Sequence, residues 1–352
     1  LDDNVVLYDD VNSKYLKKEF VKAINNGLVK STSDFDSKDL RELFDLLNKY
    51  RLEYRKCLDT NPNNTFGIEI EFDQGIRKKV RESFEKENID WEVDSDGSVP
   101  FGGEVRSEIL YDKEYSWDKL YKVLDLMNPN VKLYPDTKAG GHIHIGSQIL
   151  TVNETYYYNF CLLWSTFENI LFRFFYGEYY TYRNGINIYA QPISDLLKHR
   201  LDKVYRKDNC FYSLCTELAE NTRYYAVNFS NTDPTNTVQN KNTIEFRLAN
   251  PTLDPIVWQN NINVCLKILE CAKKVDISKV FSIYKKHRID LLFKGNKLNE
   301  YNNIYLCEAI EFCDLIFDNN LDKLYFLRQY LKSFNVTNKC GDKIKNLTNY
   351  KK

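Results

Sequence analysis

The sequence predicts an α+β protein in which helices pack on a sheet of short strands. Two segments, FGIEIEF at 66–72 and GGHIHIG at 140–146, alternate apolar and polar residues with period two, which is typical of strands. A long aromatic run without proline at 153–180 is typical of a buried helix. The hydrophobic fraction of 43% indicates a folded chain with a large core and argues against disorder.

The hydrophobic pattern divides the chain into three regions. Residues 11–58 place apolar side chains at helical spacing, and the turn-forming segment TNPNNT at 60–65 ends this pattern. We therefore expect a helical N-terminal extension at 1–64, a central core that contains the strands at 65–255, and a helical C-terminal region at 256–352 that packs on the core.

Local signals predict the remaining elements in order. Asn153 is expected to cap the start of the aromatic helix. Residues 222–229 and 243–249 have strand-like composition and flank the turn-rich NTDPTNTVQNKN, so they predict a hairpin. The clearest helical patterns of the C-terminal region lie at 256–275 and 306–332.

The charge balance argues against two classes of partner. The 49 Lys and Arg residues nearly match the 50 Asp and Glu residues, which leaves no overall electrostatic attraction to nucleic acid or to an anionic membrane. No apolar stretch approaches the roughly 20 residues that span a bilayer. Nine cysteines without a C-x-x-C pair predict buried free thiols in a reducing compartment, and the polar start LDDNVVLYDD differs from a signal peptide. We therefore expect a cytoplasmic protein that binds neither nucleic acid nor membrane.

Three predicted strands each carry two ionisable residues at positions i and i+2, and such residues point to the same face of a strand. The pairs are Glu69 with Glu71, His142 with His144, and Glu245 with Arg247. An isolated pair of this kind is usually the exposed face of an ordinary sheet. The histidine pair favours a functional site instead, because it places two of the four histidines of the chain on one face of one strand between glycines.

Carboxylates and imidazoles gathered on one face repel each other or lose solvation unless cations hold them together. The pattern therefore predicts a metal site. A set of ligands rich in carboxylates, with a histidine, favours Mg²⁺ or Mn²⁺ over zinc.

Five segments resemble, in this order, the motif series of the amidoligase family, which belongs to the glutamine synthetase and glutamate-cysteine ligase superfamily. They are FGIEIEF, WEVDSDGSVPFGGEVRSEIL, GGHIHIG, TRYYAVNF and TIEFRLANPTLDP. The resemblance implies a glutamine-synthetase-like, curved and mainly antiparallel sheet whose concave face binds ligands. It also implies an enzyme that uses ATP and Mg²⁺ (or Mn²⁺) to join a carboxylate to an amine through an acyl phosphate.

The resemblance also implies roles for individual residues. His144 would contact the phosphates of ATP, and Arg247 would bind the phosphate in transfer. Arg223 and Asn228 would contact phosphate or substrate, and Asp96 would contribute to the acidic ligands or contact the substrate. The implied metal ligands are Glu69, Glu71, Glu104, His142 and Glu245.

The chemistry suits these residue types. A carboxylate must be activated by phosphorylation before an amine can attack it, and this transfer needs charge neutralisation and alignment. Arg247 and Arg223 suit the task because a guanidinium stays charged and binds phosphate through two parallel hydrogen bonds. Glu104 or Asp96 could accept the proton of an incoming ammonium ion.

The sequence also departs from the family pattern. The string EVRSEIL carries Arg106 and Glu108 where family members often have an E-x-V-S-P-like string, which changes the surroundings of Glu104. The chain has no glycine-rich phosphate loop, so nucleotide binding depends on the sheet and its metal ligands.

Several interpretations stay open at this level. The substrates of a ligase could be free amino acids, a peptide, a protein side chain or a cell-wall fragment, and the oligomeric state has no signal in the sequence. A metal-dependent hydrolase, a guanidino-kinase-like phosphotransferase on the same kind of sheet, and an inactive binding protein are the alternatives. The basic segments around His199 and His287 predict solvent-facing histidines, and the four tryptophans are expected in the core.

Overall fold

A computed structural model describes the protein at the following residues: 53–134, 138–179, 181–205, 211–232, 242–276, 278–280, 282, 298, 301 and 305–332. Most of the predicted N-terminal extension lies outside this set, and its described part, 53–64, contains no helix. His287 also lies outside the described residues, whereas His199 is exposed as predicted.

A seven-stranded sheet forms the centre of the fold, and its strand pairs are antiparallel. The strand order is β3-β4-β1-β7-β9-β8, with β5 paired to β1, and a separate two-stranded sheet joins β2 to β6. The strands are β1 Thr65–Phe72, β2 Gln74–Gly75, β3 Glu92–Asp94, β4 Gly103–Arg106, β5 Leu110–Tyr111, β6 Val131–Lys132, β7 Gly141–Gly146, β8 Val227–Asn228 and β9 Thr243–Ala249.

The predicted hairpin is present in part. β8 pairs with β9, but β8 is only two residues long, so most of the predicted strand at 222–229 is irregular. The turn-rich segment between the two strands lies largely outside the described residues.

Helices surround this sheet. They are α1 Arg77–Lys86, α2 Glu114–Met127, α3 Glu154–Phe175, α4 Ile186–Tyr189, α5 Ser194–Tyr205, α6 Phe211–Ala219, α7 Pro255–Lys274, α8 Leu306–Ile316 and α9 Asn320–Tyr330. The prediction of a mixed fold with a mainly antiparallel sheet is confirmed. None of the helices in the described part of the chain is both long and apolar enough to cross a bilayer.

The aromatic helix and the first C-terminal helix were predicted correctly. Asn153 caps α3, since its side chain accepts a hydrogen bond from the Thr155 amide. The predicted helix at 306–332 is instead two helices. The chain is extended at Phe317, and Asn319 starts α9 by accepting a hydrogen bond from the Asp322 amide.

One face of the sheet is apolar and packs on the helices. The buried side chains of this face include Ile68 of β1, Ile143 of β7 and Phe246 of β9. On α3, the rings of Phe160 and Trp164 lie 6.0 and 5.5 Å from that of Phe246. Burying each such side chain stabilises the fold by about 1.5–3 kcal/mol. The polar residues of the same strands therefore point to the opposite face.

The described tryptophans and cysteines agree with this core. All four tryptophans are buried. Five cysteines are buried free thiols, as predicted: Cys161, Cys215, Cys265, Cys271 and Cys313. For Cys57 the prediction of a buried thiol is wrong, because this residue is exposed.

Candidate active site

The polar residues predicted from strand periodicity converge on one face of the sheet. Antiparallel pairing sets side chains of neighbouring strands next to each other, so each partner pair shares a face. The partners are Glu69 with His142, His144 with Glu245, and Glu71 with Glu104. Four strands, β1, β4, β7 and β9, thus supply one group of carboxylates and imidazoles.

Both imidazoles contact Glu69. The Nδ1 atom of His142 lies 2.9 Å from one carboxylate oxygen of Glu69, and the Nε2 atom of His144 lies 3.0 Å from the other. Burial alone would raise the pKa of Glu69, but hydrogen bonding to the two histidines outweighs it and holds the pKa well below its ordinary value. Glu69 is therefore ionised at neutral pH.

Three residues lie close enough together that they could hold one cation. Single ligand atoms of Glu69, His144 and Glu245 all lie within 4.8 Å of one another. Two carboxylates and one imidazole suit Mg²⁺ or Mn²⁺. The predicted set contained His142 where this group contains His144. His142 is also adjacent, with Nδ1 3.7 Å from Glu245 and Nε2 3.5 Å from Glu71, so its role as a ligand stays a prediction.

Glu71 and Glu104 form a second acidic pair beside this group. One oxygen of Glu71 accepts a hydrogen bond of 2.7 Å from the Gly140 amide, which fixes the carboxylate. Burial, followed by the charge of Glu69, raises the pKa of Glu104 to about 8. A bound cation interacts most favourably with neighbouring carboxylates that repel one another and so raise one another's pKa.

The Glu245 carboxylate is oriented by two neighbours. Asn228 donates a hydrogen bond of 2.6 Å to one oxygen, and the Arg247 guanidinium pairs with the other. Burial opposes ionisation of Glu245, but the charges of Arg247 and the two histidines lower its pKa overall. Asn228 was predicted to contact phosphate or substrate, yet the structure places its amide on Glu245.

The arginines occupy different depths. Arg247 is anchored by a hydrogen bond of 3.2 Å from its Nε atom to the carbonyl of Tyr189. Arg223 is exposed, and its guanidinium lies 5.8 Å from the centre of the Tyr224 ring. Arg247 therefore stands beside the candidate cation position, whereas Arg223 lies at the rim.

The structure adds Arg183, which the sequence analysis missed. Its side chain is buried, and it donates hydrogen bonds of 2.6 Å to the Lys138 carbonyl and 3.1 Å to the Arg247 carbonyl. Arg183 lies in the irregular stretch between α3 and α4, where no periodic pattern marks a face. An arginine within a strongly aromatic segment was the available signal.

Arg106 and Asp96 lie near Glu104. Arg106 pairs with Asp94 and lies 2.9 Å from Glu92, while its Nε atom is 3.8 Å from Glu104. The residue that departs from the family string thus links β4 to the edge strand β3 next to Glu104. Asp96 accepts a hydrogen bond of 2.7 Å from the Ser98 amide within its own loop.

Two clefts meet at this group. All the predicted site residues line a cleft of about 610 Å³, together with Arg183. A second cleft of about 860 Å³ shares Glu69, Arg106 and His144 with the first and continues toward the exposed side chain of Ile109. Two ligands could therefore approach Glu69 and His144 from different directions.

The fold and the site define a class of protein: an α+β domain with an antiparallel sheet. One face of this sheet packs on helices, and the other carries a cluster of carboxylates and imidazoles. A comparison with protein-family models matches residues 37–269, more than half of the chain, to the family described as "Putative amidoligase enzyme". The chain belongs to this amidoligase family, as its motifs predicted, and the family indicates a ligase. The search of curated proteins gives no match.

Proposed function

We propose that this protein is an ATP-dependent carboxylate-amine ligase that uses Mg²⁺ or Mn²⁺ on a glutamine-synthetase-like sheet. The observation that supports this most directly is the group Glu69, His144 and Glu245, whose ligand atoms lie within 4.8 Å where two clefts meet. Arg247 stands directly beside it. A cation site with an adjacent guanidinium is what transfer of a phosphoryl group requires.

The reaction has two steps. First, an oxygen of the substrate carboxylate attacks the γ-phosphorus of ATP, which gives an acyl phosphate and ADP. Second, the nitrogen of a neutral amine attacks the acyl carbon, a C–N bond forms, and inorganic phosphate leaves. The proton released by the amine passes to a carboxylate of the cleft.

The residues divide this work. The predicted ligands Glu69, Glu71, Glu104, His142 and Glu245 would hold the cations. A bound divalent cation supplies neutralisation of the charge on the phosphate oxygens. His144 and Arg247 would bind phosphate oxygens, and Arg247 would stabilise the group in transfer because its planar fork matches phosphate geometry. Arg223 at the rim would hold the substrate or the nucleotide.

The carboxylates that line the cleft are suited to bind the amine substrate. Glu104 and Asp96 line the same cleft as Arg247, and their charges would attract a cationic ammonium group. A carboxylate there could also take the proton that makes the amine nucleophilic. The amine and carboxylate substrates are amino acids, a peptide or a protein side chain.

A metal-dependent hydrolase is the second candidate. Two imidazoles beside carboxylates also suit activation of a water molecule by a cation. Phosphoryl transfer, in contrast to simple hydrolysis, gives a role to arginines such as Arg223 and Arg247 that line the cleft. The retained and converging charged residues also disfavour an inactive binding protein.

A trapping experiment separates these candidates. The protein is incubated with ATP, Mg²⁺, pools of carboxylic and amino acids, and hydroxylamine, which converts an acyl phosphate into a stable hydroxamate. Formation of ADP and hydroxamate together, both requiring the carboxylate, supports the ligase. Turnover without ATP supports the hydrolase. The absence of both turnover and thermal stabilisation by MgATP supports a binding protein. Glu82→Gln, at an exposed position of α1, is the control for Glu71→Gln in this assay.

A further inference from the structure

A groove of about 420 Å³ lies where the start of α1 meets the loop between β3 and β4. We call it the basic groove, and the residues that line it include Ile76, Arg77, Lys78, Arg81, Pro100 and Phe101. Among the described residues that line it, three are cationic and none carries a carboxylate. The whole chain, by contrast, has a net charge of −1, so the groove is a local concentration of positive charge.

Phe101 is held in an exposed position by a tight turn. It is 81% exposed, the highest fraction among the exposed large apolar residues in the described part of the chain. The Gly102 amide donates a hydrogen bond of 2.9 Å to the Val99 carbonyl, which closes a turn with Pro100 and Phe101 at its centre. The Val99 side chain is buried, and the ring of Pro100 fixes the backbone angle φ that precedes Phe101.

The end of this turn is fixed as well. A Cβ atom at Gly102 would lie 1.6 Å from the Phe72 carbonyl oxygen, so only glycine fits there. The Arg77 side chain donates a hydrogen bond to the Gly102 carbonyl and ties the turn to α1. The Phe101 ring therefore has a defined place, although little of it is packed. Exposed apolar groups in a fixed position are typical of sites that bind another macromolecule.

The cations of the groove are available to a ligand. Lys78 lies 3.8 Å from Glu82, and both side chains are more than half exposed. Arg81 lies 3.9 Å from Asp94, and both of these side chains are 49% exposed. Ion pairs at such exposed positions contribute little to stability. A carboxylate from a partner could therefore bind Lys78 and Arg81 without breaking a buried ion pair.

The combination of these groups favours an acidic polypeptide as the partner. Cations attract carboxylates, and complementary charges of this kind guide the encounter between two proteins. The exposed Phe101 and Ile76, which is 53% exposed, add an apolar surface that a side chain of the partner can cover. Contacts with the phosphate backbone supply most of the binding to a nucleic acid, and they would leave this apolar surface unused.

We propose that the basic groove binds an acidic segment of another polypeptide, in which an apolar side chain stands between carboxylates. The apolar side chain packs against Phe101 and Ile76, and the carboxylates pair with Lys78 and Arg81. The partner then lies beside the candidate active site, because Asp96 of the same loop lines the cleft. This binding goes beyond the proposed ligase function and does not depend on it, since the groove contains none of the residues placed in that reaction.

Short synthetic peptides test the proposal by calorimetry with the full chain, in buffer without Mg²⁺ so that the peptides do not chelate it. The probes are a polyglutamate peptide with a central phenylalanine, the same peptide with a central serine, and a polylysine peptide with a central phenylalanine. The wild type is expected to bind the first at least about tenfold more tightly than the second, and to bind the third not measurably. Phe101→Ser should abolish the preference for phenylalanine over serine, whereas Tyr115→Ser, at an exposed position of α2, should retain it.

A charge reversal tests the second part of the contact. Lys78→Glu should weaken binding of both acidic peptides by about threefold or more at low salt, and the difference should shrink at high salt. Lys86→Glu makes the same change in net charge at the other end of α1, so it is the matched control. If circular dichroism shows that Phe101→Ser does not fold, Ile76→Ser takes its place.

The proposal is overturned if the acidic peptides do not bind, or if both groove variants bind them as the wild type does. An equal loss in Lys78→Glu and Lys86→Glu would also overturn it, because the effect would then be that of overall charge. Tighter binding of a single-stranded oligonucleotide that is lost in Lys78→Glu would assign the groove to nucleic acid instead.

Discussion

Glu71 and Gly140 are joined by two hydrogen bonds. The Gly140 amide donates to the Glu71 carboxylate at 2.7 Å, and the Glu71 amide donates to the Gly140 carbonyl at 3.1 Å. The backbone ahead of the histidine strand therefore holds one carboxylate of the acidic group in place. Because this support comes from backbone atoms, a neutral side chain of the same shape at position 71 can keep the same place.

Glu71→Gln is expected to abolish stabilisation of the protein by MgATP and leave the fold intact. A glutamine oxygen can still accept from the Gly140 amide, but it brings no charge to a divalent cation. Thermal unfolding with and without MgATP measures the effect, with Glu82→Gln as the control. Stabilisation equal to that of the wild type would refute the assignment of Glu71 as a ligand.

His142→Ala is expected to give the same loss of metal-dependent nucleotide stabilisation. His142 contacts Glu69 at 2.9 Å and lies near Glu71 and Glu245. Its removal therefore takes away the imidazole that lies next to all three carboxylates. His199→Ala, at an exposed site outside the cleft, is the matched control. If His142→Ala binds MgATP as the wild type does while His144→Ala does not, the imidazole ligand is His144.

Arg247→Lys is expected to bind ATP but to lose turnover. A lysine supplies a point charge, whereas the guanidinium offers a planar fork to the phosphate in transfer and an Nε donor to the Tyr189 carbonyl. The nucleotide affinity and kcat are measured separately, with Arg81→Lys on α1 as the control. An unchanged kcat would show that Arg247 does not act on the transferred phosphate.

Sequence periodicity predicted the convergence of the site because alternation in a strand decides which face a side chain occupies. Glu69, His144 and Glu245 meet as the pattern required, although the pattern places His142 and His144 on the same face and so does not choose between them. Arg183 could not be predicted in the same way. Its position depends on an irregular segment and on carbonyls from β9, neither of which has a period.

The break between α8 and α9 shows a second limit. The apolar spacing at 306–332 continues through the break, so periodicity alone predicts one helix. Asn319 overrides it locally, since its side chain caps a new helix. The division of the chain at residues 64 and 255, and the curvature of the sheet, stay predictions.

Asn228→Ala is expected to weaken Mg²⁺ binding by about 10- to 100-fold, the usual cost of removing a residue that orients a metal ligand. Asn228 donates to one oxygen of Glu245 at 2.6 Å, and without it that oxygen loses its donor while Arg247 still pairs with the other. Calorimetric titration with Mg²⁺ gives the affinity. Asn130→Ala, which removes an amide bonded to the Leu126 carbonyl outside the cleft, is the control, and an equal loss in both variants would contradict the proposed role.

Glu104 is expected to make the metal-free protein less stable as pH rises. Its pKa in the folded protein is raised from 4.5 to about 8, so its favourable contribution is complete below pH 4.5 and is lost as pH rises through 8. Glu168 has the same sign, with its pKa raised by burial to about 7, so the wild type must be compared with Glu104→Gln. The melting temperature of the variant should fall less between pH 5 and pH 8. Added Mg²⁺ should flatten the wild-type profile, since a cation favours the charged carboxylate. Identical profiles for the two proteins would show that Glu104 is not in the acidic group.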